Sequence, residues 1–177
     1  MKNKIYTYYL IVLTVFFFTI TYPLQLIIIQ LKSLHFFGHK INQFIIKSIL
    51  FFGFIKREII NKKYINNKEK YIFCSNHSSY FDIATTYYLQ NNYIKFIGKK
   101  SLEKIPLFGY MYKKLYITVD RRDKNSRADV FNKSSEAIDK GNSLCIYPEG
   151  AIPHQTPNLI PFKDGAFKLS VEKNIPI

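Results

Sequence analysis

Apolar and polar positions divide this chain into two unlike parts. Between Lys4 and Lys32 no residue is charged, and Leu, Ile, Val, Phe and Tyr fill most of residues 5–31. A helix that crosses a bilayer needs about 20 such residues. Tyr6, Tyr8, Tyr9 and Tyr22 stand where interfacial aromatics belong, and Lys2, Lys4 and Lys32 flank the run. Pro23 predicts a kink or an end in the last third of that helix. A second apolar segment, 41–55, is broken only by Asn42, Gln43, Lys47 and Ser48, which predicts an amphipathic, interfacial helix. The polar stretch 61–70 marks the boundary between N-terminal membrane-associated helices (1–60) and a second part (61–177).

In the second part the period of the apolar positions alternates between strand and helix. Strands are predicted over 71–75, 93–97, 115–119 and 143–147, and a last one begins at 175–177. Helices are predicted over 79–90, 102–114, 126–140 and 164–173. Pro106 falls early in the second, and Ala128, Phe131, Ser135 and Ile138 share a face of the third. Such alternation predicts an α/β fold with a mostly parallel, helix-covered sheet, and ligands gather at the carboxyl ends of its strands.

Charge sharpens this picture. Lys and Arg number 26 against 12 acids, a net charge of +14. A protein so basic fits a polyanion or an anionic surface. The apolar N-terminus favours a phospholipid bilayer over nucleic acid, for which no recognition motif is present. A signal peptide is the competing reading of residues 1–31, but the apolar run is too long and lacks a small-residue cleavage site. Both flanks are basic, so spanning and re-entrant anchors stay open. Cys74 and Cys145 each lie in a strand-like run and lack paired spacing, so both read as buried thiols.

The chemistry concentrates in Asn76-His77-Ser78-Ser79-Tyr80-Phe81-Asp82. His77 directly follows a strand, and Asp82 falls just inside the next helix. Asp82 can turn back to one imidazole nitrogen and leave the other free to take a proton from a hydroxyl. With no Ser set up as a nucleophile, a two-residue relay on the substrate's own hydroxyl is the simplest chemistry. The plainer reading makes Asp82 a capping-box acid for a helix begun at Ser79. The two roles are compatible.

Three later blocks follow in order: Ile117-Thr118-Val119-Asp120-Arg121, Tyr147-Pro148-Glu149-Gly150 and Ile175-Pro176-Ile177. With the His/Asp block they resemble the 1-acylglycerol-3-phosphate (lysophosphatidate) acyltransferases, over roughly residues 65–177. The resemblance implies the glycerolipid acyltransferase fold and transfer of a fatty acyl group from acyl-CoA or acyl-carrier protein to the free hydroxyl of lysophosphatidate. A thioester is already activated, so neither metal nor cofactor is required. His77 would be the base and Asp82 its orienting partner. Arg121, or its neighbour Arg122, would clamp the substrate phosphate, although the same run reads equally as a solvated turn. Glu149 and Gly150 would meet the acceptor, or Glu149 would cap a helix.

The third block departs from the family pattern. A hydroxyl residue and Arg are usual after it, whereas this chain has Ala151-Ile152-Pro153-His154. Lys163 and Lys168 could restore the missing charge. Equally, the acceptor could be another lyso-lipid or an amine-linked lipid, or the chain a non-catalytic protein that binds anionic lipid. The resemblance places the protein in the inner or cytoplasmic membrane with its catalytic part facing the cytoplasm. Because the chain stops at Ile177 within the last block, the natural domain is expected to continue beyond it.

Overall fold

The computed structural model describes residues 2–60, 65–66, 68–89, 93–155 and 158–177. The expected boundary stretch 61–70 and the expected helix end at Gln90 fall partly or wholly outside them. Four parallel strands form one sheet in the order β1-β4-β2-β3, with β1 Ile72–Cys74, β2 Ile94–Lys99, β3 Ile117–Val119 and β4 Ser143–Ile146. The helices are α1 (Lys2–Ile28), α2 (His35–Phe52), α3 (Phe81–Leu89), α4 (Phe108–Leu115), α5 (Lys124–Asp139) and α6 (Gly165–Lys173).

Side chains alternate across the strands as the pleat requires. Ile72, Leu144 and Ile117 turn to one face, where Ala137 and Ile138 of α5 and Ala166 and Leu169 of α6 cover them. Cys145, Ile94 and Phe96 turn to the other, under Tyr87 of α3 and Ile46 of α2. Each fully buried aliphatic side chain contributes about 1.5–3 kcal/mol.

Several elements differ from expectation for identifiable reasons. The helix predicted over 102–114 is divided into a 3₁₀ helix at Lys100–Lys104 and α4. Pro106 explains the break, because the residue before a proline is driven to extended backbone, as Ile105 is (φ −72°, ψ 124°). By contrast, α1 runs through Pro23 to Ile28. Its last turns pack Leu26 and Ile29 against Met111 and Leu115 of α4, contacts that hold the helix beyond the proline. In α5 the buried face is Ser134, Ala137 and Ile138, with Val130 and Phe131 partly covered, and Ala128 is exposed. That helix starts at Lys124 because the Asp123 carboxylate accepts from the Asn125 N–H. Residues 175–177 make one strand-like bond, from the Ile72 N–H to the Pro176 carbonyl, and no full strand. Cys145 is buried, and Cys74 only partly so.

α1 and α2 are antiparallel. The hydroxyl of Tyr6 donates to the Gly53 carbonyl (2.7 Å) and that of Tyr9 to the Phe52 carbonyl (2.9 Å). Beyond Gly53 the chain returns at once, and the Arg57 guanidinium lies 4.5 Å from the centre of the Tyr88 ring in α3.

Candidate active site

Strand order assembles the site. β1 and β4 are neighbours, paired Cys74 to Ile146, so the loops that leave their carboxyl ends lie side by side. One carries His77, the other Tyr147 to Gly150. His77 is buried, and its Nδ1 lies 2.9 Å from Asp82 Oδ2. The same oxygen accepts the N–H of Ser78 (2.7 Å) and of Ser79 (2.9 Å). The Ser79 hydroxyl in turn accepts the Phe81 N–H that opens α3. Capping and histidine orientation therefore share one carboxylate oxygen. Because that oxygen can only accept, the neutral ring carries its proton on Nδ1 and leaves Nε2 as an acceptor.

Tyr147 continues the alternation of β4 and faces α3. Its ring stacks on the His77 ring with centroids 4.1 Å apart and 16° between planes. Its hydroxyl is 3.4 Å from Thr86 Oγ1, which itself donates to the Asp82 carbonyl (3.0 Å). A closed circuit thus runs from His77 through Asp82 and Thr86 to Tyr147. The motif contained Tyr147, but nothing in the spacing showed that its ring would lie on the imidazole.

Glu149 is only 2% exposed. Its Oε1 accepts the His77 N–H (2.8 Å) and its Oε2 the Ile160 N–H (3.3 Å), so it ties the two loops together by their backbones. It caps no helix. Gly150 has φ +73°, and a Cβ there would come within 2.7 Å of Lys163 Nζ. Lys163 is anchored by its own N–H on the Pro148 carbonyl (3.0 Å), so its ammonium lies over the turn. Gly150→Ala is therefore expected to strain the turn, displace that ammonium and raise KM for an anionic acceptor more than it lowers kcat, which steady-state kinetics at varied acceptor would show.

Arg121 and Arg122 follow β3 and differ in setting. Arg122 is exposed, in a turn closed by its N–H on Asp120 Oδ1 (3.1 Å). Arg121 is half-buried; burial lowers its pKa below the ordinary guanidinium value, which electrostatic interaction with Tyr112 and Tyr80 partly opposes. Burial thus sets Arg121 apart from its exposed neighbour Arg122. Lys168 pairs with Asp164 (2.9 Å) and His154 is exposed, so neither is drawn into it. Lys99 and Lys100 are two exposed cations at the carboxyl end of β2 that sequence reasoning passed over. Their only signal was a position just past a strand.

The thiols stay outside this chemistry. Burial pushes Cys145 up to about 12 and Cys74 up to about 11. At pH 8 a thiol near 12 is ionised only about once in 10⁴. Iodoacetamide is expected to leave turnover unchanged, with mass spectrometry showing Cys145 unmodified.

A family profile described as acyltransferase matches residues 56–177. The chain belongs to the acyltransferase family. Among curated proteins it is 30% identical over 146 residues to a chloroplastic 1-acyl-sn-glycerol-3-phosphate acyltransferase of Brassica napus, covering 80% of this chain and 42% of the relative. It is 32% identical over 111 residues to the 1-acyl-sn-glycerol-3-phosphate acyltransferase of Haemophilus influenzae, covering 60% and 45%. The chain thus spans less than half the length of these relatives. The crystal structure of the 1-acyl-sn-glycerophosphate acyltransferase from Thermotoga maritima superposes with a TM-score of 0.72 at 19% identity, covering 96% of this chain and 72% of that one, a likeness of fold.

Proposed function

We propose that this family member transfers a fatty acyl group from acyl-CoA or acyl-carrier protein to the free hydroxyl of lysophosphatidate, giving phosphatidate for phospholipid synthesis. The bond between His77 Nδ1 and Asp82 Oδ2 carries this reading. It leaves Nε2 as the base for the acceptor hydroxyl, while Asp82 stabilises the imidazolium that results. The alkoxide attacks the thioester carbonyl, the tetrahedral intermediate expels the thiolate, and the proton held on His77 passes to it. Two activated partners need only be aligned, which positioning supplies. No metal or cofactor enters this scheme.

Arg121 serves as the phosphate clamp, since a guanidinium forms two parallel charge-assisted bonds to phosphate oxygens. Lys163 supplies a second cation. Its ammonium reaches the Gly150 turn, beside the place where Ala151-Ile152 replaces the usual hydroxyl residue and Arg. This favours lysophosphatidate over an uncharged acceptor. Thiol release from palmitoyl-CoA, measured with lysophosphatidate, with an uncharged monoacylglycerol and with no acceptor, tests the assignment. Release that is indifferent to lysophosphatidate would refute it.

Tyr147 acts as a positioning residue for the imidazole. Tyr147→Phe keeps the stack and is expected to hold kcat within a few fold, whereas Tyr147→Leu loses it and is expected to lower kcat about tenfold or more with little change in KM. Equal loss in both variants would show that the hydroxyl, and not the ring, matters.

The N-terminal hairpin holds the protein on the membrane. Ile5, Tyr8, Val12, Phe16, Ile20, Leu24 and Ile27 are all exposed, at helical spacing along one face of α1. The Tyr6 and Tyr9 hydrogen bonds fix the start of α1 to the end of α2, and Arg57 is back against α3 four residues after Gly53. Four residues reach at most about 14 Å, less than the roughly 30 Å of a hydrocarbon core. On this reading α1 lies in the interface rather than crossing, and we place the catalytic part on the cytoplasmic side.

A further inference from the structure

Between the 3₁₀ helix and α4 the backbone makes a tight, strained turn. Leu107 has φ 61° and ψ −58°, and the Phe108 N–H donates to the Pro106 carbonyl (2.6 Å), two residues back. A γ-turn of this hand is rare, and a leucine at positive φ is costly. The rest of the molecule holds it in place. Tyr22 of α1 donates its hydroxyl to the Leu107 carbonyl (3.2 Å), and the Phe18 and Phe108 rings lie 6.3 Å apart. Gly109 presses on the 3₁₀ helix so closely that a Cβ would come within 2.0 Å of the Glu103 carbonyl oxygen. The outcome is a tip that exposes apolar surface: Leu107 is 59% exposed, Ile105 44% and Tyr110 47%. Strain maintained to display apolar groups points to a surface that receives them.

Two observations identify that surface. The tip adjoins, through Tyr22, the same helix α1 that carries the exposed apolar face. Lys100 and Lys104 lie in the 3₁₀ helix that leads into the tip, and Lys113 and Lys114 in the last turn of α4 that follows it, all exposed. An apolar tip whose flanking elements carry exposed lysines matches acyl chains beneath anionic headgroups. The tip also leads toward the carboxyl ends of the strands, because α4 carries Tyr112, whose phenol lies against Gly98 of β2. We propose that residues 105–107 form a lip that inserts Ile105 and Leu107 among the acyl chains of an anionic bilayer and opens the active site directly onto lipid. This rests on the reading that α1 lies in the membrane interface. The lip supplies a second, catalytic-side contact, so that a lyso-lipid moves from bilayer to Arg121 with its chain never exposed to water.

The chain contains no Trp, which makes a single introduced Trp a clean depth probe. Leu107→Trp and Phe16→Trp, each in the full chain, would be mixed with phosphatidylglycerol-rich vesicles whose lipids carry brominated or ordinary acyl chains. Both side chains are exposed, so neither substitution disturbs packing. The expected result is a blue shift in both variants and loss of most of the emission with brominated chains. Quenching of Phe16→Trp alone would overturn the lip and leave the interfacial helix standing. Quenching of neither would overturn both. A Leu107→Trp emission already blue-shifted without vesicles, and unaffected by brominated lipid, would assign the turn to contact between copies of the chain and also overturn the proposal.

Discussion

His77→Ala is expected to lower kcat by about 10²–10⁴-fold, the usual contribution of a placed general base. Binding of lysophosphatidate and of vesicles should persist, because the groups assigned to both lie elsewhere. The fold should persist as well. Asp82 Oδ2 keeps its two backbone donors from Ser78 and Ser79, so the start of α3 remains capped without the imidazole. The main-chain N–H at position 77 still reaches Glu149 Oε1. Circular dichroism and vesicle pelleting, run beside thiol release, separate loss of chemistry from loss of structure. Retained turnover in a folded His77→Ala chain would end the general-base mechanism.

Glu149→Ala is the substitution expected to cost most in stability. It removes a carboxylate that is almost wholly buried and that satisfies the N–H groups of His77 and Ile160. Each buried donor left unpaired costs about 1–3 kcal/mol, against a typical total of 5–15 kcal/mol. The His77 loop and the loop through Ile160 would lose their common fastening, so activity should fall even in the protein that remains folded. Glu149→Gln tests the same arrangement more gently. One amide oxygen can serve His77, but the amide nitrogen then confronts the Ile160 N–H, donor against donor. A smaller drop in thermal midpoint than for Glu149→Ala, still with reduced kcat, is the expected order. If Glu149→Ala kept full stability and lost only affinity for the acceptor, Glu149 would instead be a direct substrate contact.

The sequence was most informative where function depends on neighbours along the chain. His77 and Asp82 are five residues apart, and a strand followed by a helix start brings them into contact almost by local geometry alone. The parallel sheet was legible for a similar reason, since the alternation of strand-like and helix-like segments is a local pattern. The roles of Tyr147 and Glu149 depend instead on which strand lies next to which. Glu149 meets His77 across 72 residues, through the adjacency of β1 and β4, and no spacing in the chain encodes that order. The break at Pro106 was foreshadowed by the proline itself, yet its left-handed Leu107 was not, because the hold that α1 exerts through Tyr22 is wholly tertiary. Lys163 shows the same limit. Its backbone is fastened to Pro148, and only that fastening carries its ammonium to Gly150.

The return of the chain, which brings Arg57 against the Tyr88 ring only four residues after Gly53, has a further consequence. A hairpin lying in the interface as proposed would sample one leaflet only. Substrate would be drawn from that leaflet and product returned to it, so each turnover would convert a wedge-shaped, single-chain lipid into a two-chain lipid on one side of the bilayer. Such one-sided synthesis unbalances the areas of the two leaflets. A separate transbilayer lipid transfer step must then relieve the imbalance as the membrane grows.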